Sequence, residues 1–329
     1  MAQYCHLIRD VTYDVTHACD APGAVQLEVA HETAYRYAAD VALAHHLAYL
    51  KPAETPHQRV EAFNIAIRPR PASRSMSVDV FGNTRIFFSV ATPHARLAVR
   101  AASRVSVAPR YVRFDPGATR PWEAVRERLV YAAGAPYASE SEFAFASPFV
   151  SIHRELAAYA RPSFIPGRAI GEAAVDLMKR IHREFRYESE STAVSTPILE
   201  AFAARRGVCQ DFAHIMIGCL RALGLAARYV SGYLLTVPPP GAISLLGADA
   251  SHAWVSVHCP EQPGPGIWLD LDPTNDVIPS TSHVMLAIGR DFGDVSPLHG
   301  ILRGGGEHTL SVGVTVRRVA GFERRLRAR

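Results

Sequence analysis

Residues 205–224, RRGVCQDFAHIMIGCLRALG, constrain the fold more than any other stretch of this chain. Read as a helix, they carry two adjoining apolar stripes, Val208-Phe212-Ile215-Cys219 and Cys209-Ala213-Met216-Leu220, and Gly224 fits the C-terminal cap. A helix apolar on two faces must be covered on two sides, so it belongs at the centre of a domain. Upstream, IGEAAVDLMKRIHREF sets Ile170, Ala174, Leu177, Ile181 and Phe185 on one helical face, which makes a packing helix. Downstream, ARYVSGYLLTV, SHAWVSVH, IWLDLD and HTLSVGVTVRRV all read as strands. Helices first and strands afterwards predict an α+β unit in which a central helix packs on an antiparallel sheet.

The N-terminal half follows a different period. LEVAHETAYRY, EAFNIAIRP and SMSVDVF alternate, a turn at Phe81-Gly82-Asn83-Thr84 leads into RIFFSV, and LAVRAASRVSV closes the series. Short strands at this spacing predict an antiparallel β-sandwich over 25–110, behind a leader at 1–24 without clear periodicity. Residues 111–165, with helical patterns in WEAVRERLVYAA and VSIHRELAAYA, read as a helical connection, and 166–329 as the α+β domain. The proline-rich stretch VPPPGAISLLGADA suits an exposed lip.

Composition narrows the function. A chain of 329 residues with 48% hydrophobic content folds without staples, and a net charge of only +4 gives no field to hold nucleic acid. Five cysteines, odd in number and without a CxxC pair, argue against a disulfide framework or a structural zinc site and for a reducing, cytoplasmic setting. No run of 18 apolar residues occurs, and the first residues lack a secretory pattern, so no membrane association is expected.

Cys209 stands where a nucleophile would be helped, because a helix N-terminus offers unpaired N–H groups and the positive end of the dipole to a thiolate. A buried small hydrophobe is the competing reading of the same position. His214 lies five residues on, about 140° round the helix, and Asp211 about 200° round, so neither serves the sulfur directly. The base must come from elsewhere.

ASHAWVSVHCPEQPGPGIWLDLDPTND supplies one. Alternation puts His252, Trp254, Ser256 and His258 on one face of a strand and Trp268, Asp270 and Asp272 on one face of the next. With a hairpin connection centred on Gln262, His252 stands opposite Asp272, close enough for a carboxylate to orient the imidazole. A one-residue bulge would separate them, and Asp270 is the second acid within reach. His258 beside Cys259 has no further ligand at sensible spacing, so no metal site is expected there.

In their order, RRGVCQDFAH, LRALGLAARYVSGYL, GADASHAW, LDPTND and GRDFGDVSPLHG resemble the transglutaminase-like superfamily, papain-like in its core. YLKPAETPHQRVEAFNIAIRPRP and DVFGN resemble the N-terminal β-domain of its bacterial branch. The resemblance implies Cys209 as nucleophile, His252 as base and Asp272 as the residue that orients it. It implies acyl transfer through a thioester, on a peptide or protein substrate, ending in hydrolysis or transfer to an amine. No cofactor is implied. No calcium loop of the DxDxDG type is present, so turnover is expected to be calcium-independent. Arylamine N-acetyltransferase-like chemistry and a peptide-binding scaffold without turnover are the alternatives. Acetyl-CoA turnover would mark the first, and slow alkylation of Cys209 at pH 6 the second.

Overall fold

The computed structural model describes residues 19, 23–130, 133–134, 138–189, 191–235, 251–260 and 266–319. The leader at 1–24, apart from Cys19 and residues 23–24, and the proline-rich lip at 238–250 lie outside the described residues.

The N-terminal domain is organised by one long strand, β1 (Val25–Ala48), with β2 (Gln58–Arg68), β3 (Ser73–Val78), β4 (Thr84–Val90) and β5 (His94–Val107) in the order β2-β5-β1-β4-β3. The first half of β1 pairs with β5, the second half with β4. The register against β5 slips between Arg36 and Val41, where the strand changes partner. Such an irregularity bends a strand and increases its twist. The sheet therefore curls over, and Ile65 and Ile67 of β2 share a core with Ile86 and Phe88 of β4 and Leu97 and Val99 of β5. The two layers of the expected sandwich are thus parts of one sheet. At the predicted turn, Asp79 Oδ1 accepts from the N–H groups of Phe81 and Asn83, both at 2.9 Å, and Gly82 takes a φ of +86°.

One expectation needs correcting. HTLSVGVTVRRV forms a strand, β13 (His308–Arg318), but it pairs with the first half of β1, and β12 (Leu298–Gly304) pairs with the second half. Both are strands of the N-terminal sheet and do not pair with the sheet behind the central helix, although Val314 and Val316 of β13 pack into the core that the helix shares. Alternation marks a strand; it carries no information about which sheet the strand joins.

The connection contains α1 (Trp122–Leu129) and α2 (Arg154–Ala160), and the packing helix is α3 (Ile170–Glu184). Its predicted apolar face, from Ile170 to Phe185, is buried. A short helix, α4 (Ile198–Ala204), precedes the central helix, α5 (Cys209–Ala222). Every residue of α5 from Asp211 to Arg221 is buried. The sheet beside it runs β10 (Ile267–Leu271), β9 (Ser251–Cys259), β8 (Ala227–Leu234), β11 (His283–Gly289), all antiparallel. Ala253, Val255, Val257, Leu269 and Leu271 share one core with Phe212, Ile215 and Met216 of the helix. Each fully buried side chain of this size stabilises by roughly 1.5–3 kcal/mol.

The other face of this sheet, carrying Trp254, Ser256 and Asp270, is also shut off from water, because the N-terminal domain lies against it. Arg110 Nη1 meets Asp270 Oδ2 at 2.6 Å, Ser256 Oγ donates to Asp270 Oδ1, and the Asp270 N–H donates to Tyr111 Oη at 2.9 Å. Asp270 is therefore a structural anchor between the domains, and its carboxylate is fully engaged there.

Candidate active site

Cys209 is the first residue of α5, and local chemistry fixes it there. Val208, the N-cap, is extended (φ −107°, ψ 179°), and Asp211 folds back so that its Oδ2 accepts the Val208 N–H at 2.8 Å. This is one arm of a capping box. A Cβ on Gly207 would lie 2.5 Å from that same oxygen, so only glycine leaves room for the return. Asp211 Oδ2 also accepts from Thr192 Oγ1 at 2.6 Å, and Gln210 Nε2 donates to Val194 O at 3.2 Å. Gln210 and Asp211 thus fasten the 192–194 segment to the mouth of the helix. Alongside, the two-residue strands β6 (Arg186–Tyr187) and β7 (Arg206–Gly207) pair Tyr187 with Gly207.

His214 faces away from the sulfur, as its angle on the helix requires. Its Nε2 accepts the Phe292 N–H at 3.2 Å, and its ring packs on Tyr229 and Phe149 at centroid distances of 5.1 and 5.9 Å. Burial lowers its pKa to about 4, so it is a neutral structural acceptor. Cys219 is wholly buried in the same helix, and burial pushes its thiol up.

His252 comes to Cys209 from β9, across from Gly232 of β8. Its Nε2 and Asp272 Oδ2 are 2.7 Å apart. The ladder between β9 and β10 runs Trp268–His258 and Asp270–Ser256, two residues away from the register that a turn centred on Gln262 gives. A shift of two preserves the face, so His252 and Asp272 still meet, diagonally, with Asp272 just past the end of β10.

Two further residues complete the surroundings of Asp272, and neither is singled out by the sequence reading. Asn275 Nδ2 donates to Asp272 Oδ2 at 2.7 Å, and the N–H groups of Thr274 and Asn275 donate to Oδ1 at 3.0 and 3.2 Å. His283 Nε2 meets Oδ2 at 3.2 Å from β11. Asn275 sits in the quoted LDPTND stretch, and a Pro-Thr-Asn turn directly after an acid is the signal for it. His283 opens HVMLAIG, a short apolar run between turn residues, which is the mark of a buried strand.

Electrostatically the pair is polarised. Burial by itself would lower the His252 pKa, but hydrogen bonds to Asp272 and Cys209 outweigh it and hold the imidazole at about 10. Burial would raise Asp272, but hydrogen bonds from His252, His283 and Asn275 prevail and keep it below the usual carboxylate range. Since Nε2 is taken by the carboxylate, Nδ1 is the nitrogen left for the sulfur. His252, Asp272 and His283 place their ligand atoms within 4.8 Å of one another. Both imidazoles direct Nε2 at the same carboxylate oxygen, which is the donor pattern of a hydrogen-bonded network.

Cys209 and His252 open onto a cavity of about 350 Å³. One wall comes from the α+β unit around α5, with Tyr229, Ala253 and Phe292, and the other from the N-terminal sheet, with Tyr35, Leu310 and Val312. A larger hollow of about 770 Å³ lies around Arg85, Arg228 and Trp268, and neither Cys209 nor His252 lines it. Among the described residues no helix is long and apolar enough to cross a membrane.

A papain-like arrangement, with a cysteine heading a central helix and a histidine on the adjoining sheet, behind an N-terminal β domain, defines a class, and comparison with known proteins agrees. The bacterial transglutaminase-like N-terminal region matches residues 27–106, and the transglutaminase-like superfamily core matches residues 154–273. An uncharacterized protein of Mycobacterium tuberculosis is 42% identical over 294 residues, covering 88% of this chain and 91% of that one. The chain belongs to the transglutaminase-like superfamily, in its bacterial branch with the N-terminal β region. A protein-glutamine gamma-glutamyltransferase of Pseudomonas aeruginosa is 36% identical over 101 residues, 30% of this chain and 14% of that one. The crystal structure of a candidate cysteine protease from Cytophaga hutchinsonii superimposes with a TM-score of 0.68 over 90% of this chain and 91% of that one, at 18% identity. That likeness is one of fold.

Proposed function

We propose that this protein is a cysteine-dependent enzyme that transfers or hydrolyses acyl groups at amide bonds, with Cys209 as nucleophile, His252 as general base and acid, and Asp272 as the residue that orients it. The observation that carries the reading is the placement of His252 between a buried carboxylate at 2.7 Å and the Cys209 thiol, at the floor of an open cavity.

The steps follow from those positions. The Cys209 proton passes to His252 Nδ1, and the sulfur attacks the amide carbonyl carbon. The Cys209 N–H, in the unpaired first turn of α5, is positioned to donate to the developing oxyanion. The C–N bond breaks as the imidazolium returns its proton to the departing amine, leaving a thioester on Cys209. Water, or a second amine, deprotonated by His252, attacks the thioester and frees the sulfur. Asp272 keeps its negative charge throughout and holds the ring through Nε2.

The reading is supported by kinship with the Pseudomonas glutamyltransferase and the likeness to the Cytophaga fold, and it spans hydrolysis and transfer. The test is incubation with peptide amides, with and without a primary amine, followed by mass spectrometry of both products and intact enzyme. The expected result is product formation, a transient acyl adduct on Cys209, and loss of both in Cys209→Ala. Turnover that survives in Cys209→Ala would refute it.

A further inference from the structure

The second wall of the cavity is one face of the ribbon formed by β1 and β13. Direct pairing sets His31 opposite Val314, Thr33 opposite Val312 and Tyr35 opposite Leu310, so these side chains project from the same face. That ribbon is fastened in place. His31 Nδ1 lies 3.0 Å from the hydroxyl of Tyr233, which is buried in β8, and His31 Nε2 lies 2.9 Å from Thr33 Oγ1. The His31–Tyr233 contact therefore ties the ribbon to the sheet that carries His252.

Its chemistry is equally plain. Leu310 and Val312 remain 53% and 46% exposed although they border a cavity that Cys209 and His252 also line. Across the cavity stand Val194, Val208 and Phe292, and no described lining residue is Asp, Glu, Lys or Arg. Half-exposed aliphatic groups facing a reactive thiol give up water when a chain of matching polarity fills the space. A charged side chain there would lose its hydration against aliphatic groups, and the one group of the described lining that carries charge, His252, is already paired with Asp272.

We infer that the β1–β13 ribbon is the specificity wall of this enzyme, and that it selects amide substrates whose neighbouring side chain is uncharged and apolar, such as Leu or Phe. The inference rests on the activity reading above for its substrate class, while the wall itself rests on register, exposure and lining. A side chain pressed against Leu310 and Val312 gains by burial what a lysine or glutamate forfeits, which amounts to roughly tenfold to a hundredfold in apparent affinity.

The experiment uses one set of peptide amides that differ only in the residue beside the amide: Leu, Phe, Gln, Lys or Glu. Binding of each to the full chain carrying Cys209→Ala is measured by calorimetry, and turnover of each by the unsubstituted protein is measured in parallel. Leu and Phe are expected to bind tenfold or more tighter than Lys and Glu, with the difference in turnover appearing in KM. Val312→Lys is expected to erase that preference and favour Glu, and Leu310→Ser, a milder change on the same exposed face, to weaken it. Equal binding across the set, or a preference unmoved in both variants, overturns the assignment of the wall. Selective binding without turnover would uphold the wall and sink the activity reading; turnover without selectivity would do the reverse. No binding and no turnover would remove both.

Discussion

The side-chain amide of Gln58 pairs with the backbone of Met285 as a neighbouring strand would. Nε2 donates to Met285 O at 2.8 Å, and the Met285 N–H donates back to Oε1 at 2.8 Å. Asn83 does the same with Ile288, at 2.7 and 2.8 Å. Both backbone residues lie on β11, the edge strand of the sheet beside α5. Two amides from the N-terminal domain thus satisfy an edge that would otherwise pair with another chain. They also brace the strand that carries His283 to Asp272.

The first prediction concerns that brace. Gln58→Ala removes three hydrogen bonds, to the carbonyls of Ala53 and Met285 and from the Met285 N–H. Met285 O keeps the Ala53 N–H at 3.0 Å, so the Met285 N–H is the group left buried and unmet, at a cost of about 1–3 kcal/mol. Urea denaturation of Gln58→Ala and of Gln58→Glu checks it. Glu keeps one acceptor but sets a carboxylate against a carbonyl, so it is expected to be no better than Ala. Unchanged midpoints in both variants would show that the edge is held by other means.

A second prediction concerns pH. The His252 pKa is raised by hydrogen bonds to Asp272 and Cys209 against the opposing effect of burial. In Asp272→Asn the carboxylate is lost and burial is not, so the pKa falls. The imidazolium that must protonate the leaving amine then disappears at lower pH. The alkaline limb of kcat/KM is expected to move to lower pH, with the plateau lowered roughly 10²–10⁴-fold. A limb that stays in place would separate Asp272 from the function assigned to it.

In the proposed mechanism Asn275 acts through Asp272, as a positioning residue. It donates to the carboxylate at 2.7 Å and lies 3.3 Å from His252 Nε2. Asn275→Ala is expected to lower kcat about tenfold to a hundredfold with KM little changed, by analogy with other outer partners of reactive groups. Asn275→Asp, which loses the donor and adds a charge beside Asp272, should do worse than Ala. Equal KM and kcat losses would point to general misfolding instead.

How much of this was legible in the sequence depended on what each signal encodes. Two apolar stripes on 208–220 required a central helix, and the angle between Cys209 and His214 excluded the nearest histidine, since both follow from helical period alone. His252 and Asp272 were legible because alternation fixes a face even where the register is off by two. The mate of β13 was not legible, because a strand's pattern is the same in either sheet. Nor was the fate of Asp270, whose neighbour Arg110 is 160 residues away in sequence. HQRVEAF and DVFGN stood out as family-like stretches without visible chemistry; Gln58 and Asn83 show their use to be bracing.

The last of the supporting predictions is metal independence. Because His252 and His283 both direct Nε2 at one Asp272 oxygen, a cation can enter only by displacing that pairing. EDTA is expected to leave turnover unchanged and added calcium to leave it unchanged too, whereas zinc is expected to inhibit. Loss of turnover on chelation, restored by calcium, would contradict this.

The central claim is that His252 activates Cys209, and one measurement tests it most directly: the rate of iodoacetamide labelling at Cys209 at pH 6, followed by peptide mass spectrometry, in the unsubstituted protein and in His252→Ala. The account predicts labelling well above the rate of a free cysteine in the former and its loss in the latter. Slow labelling at the same rate in both would contradict it, and would leave the fold as a scaffold without an assembled nucleophile.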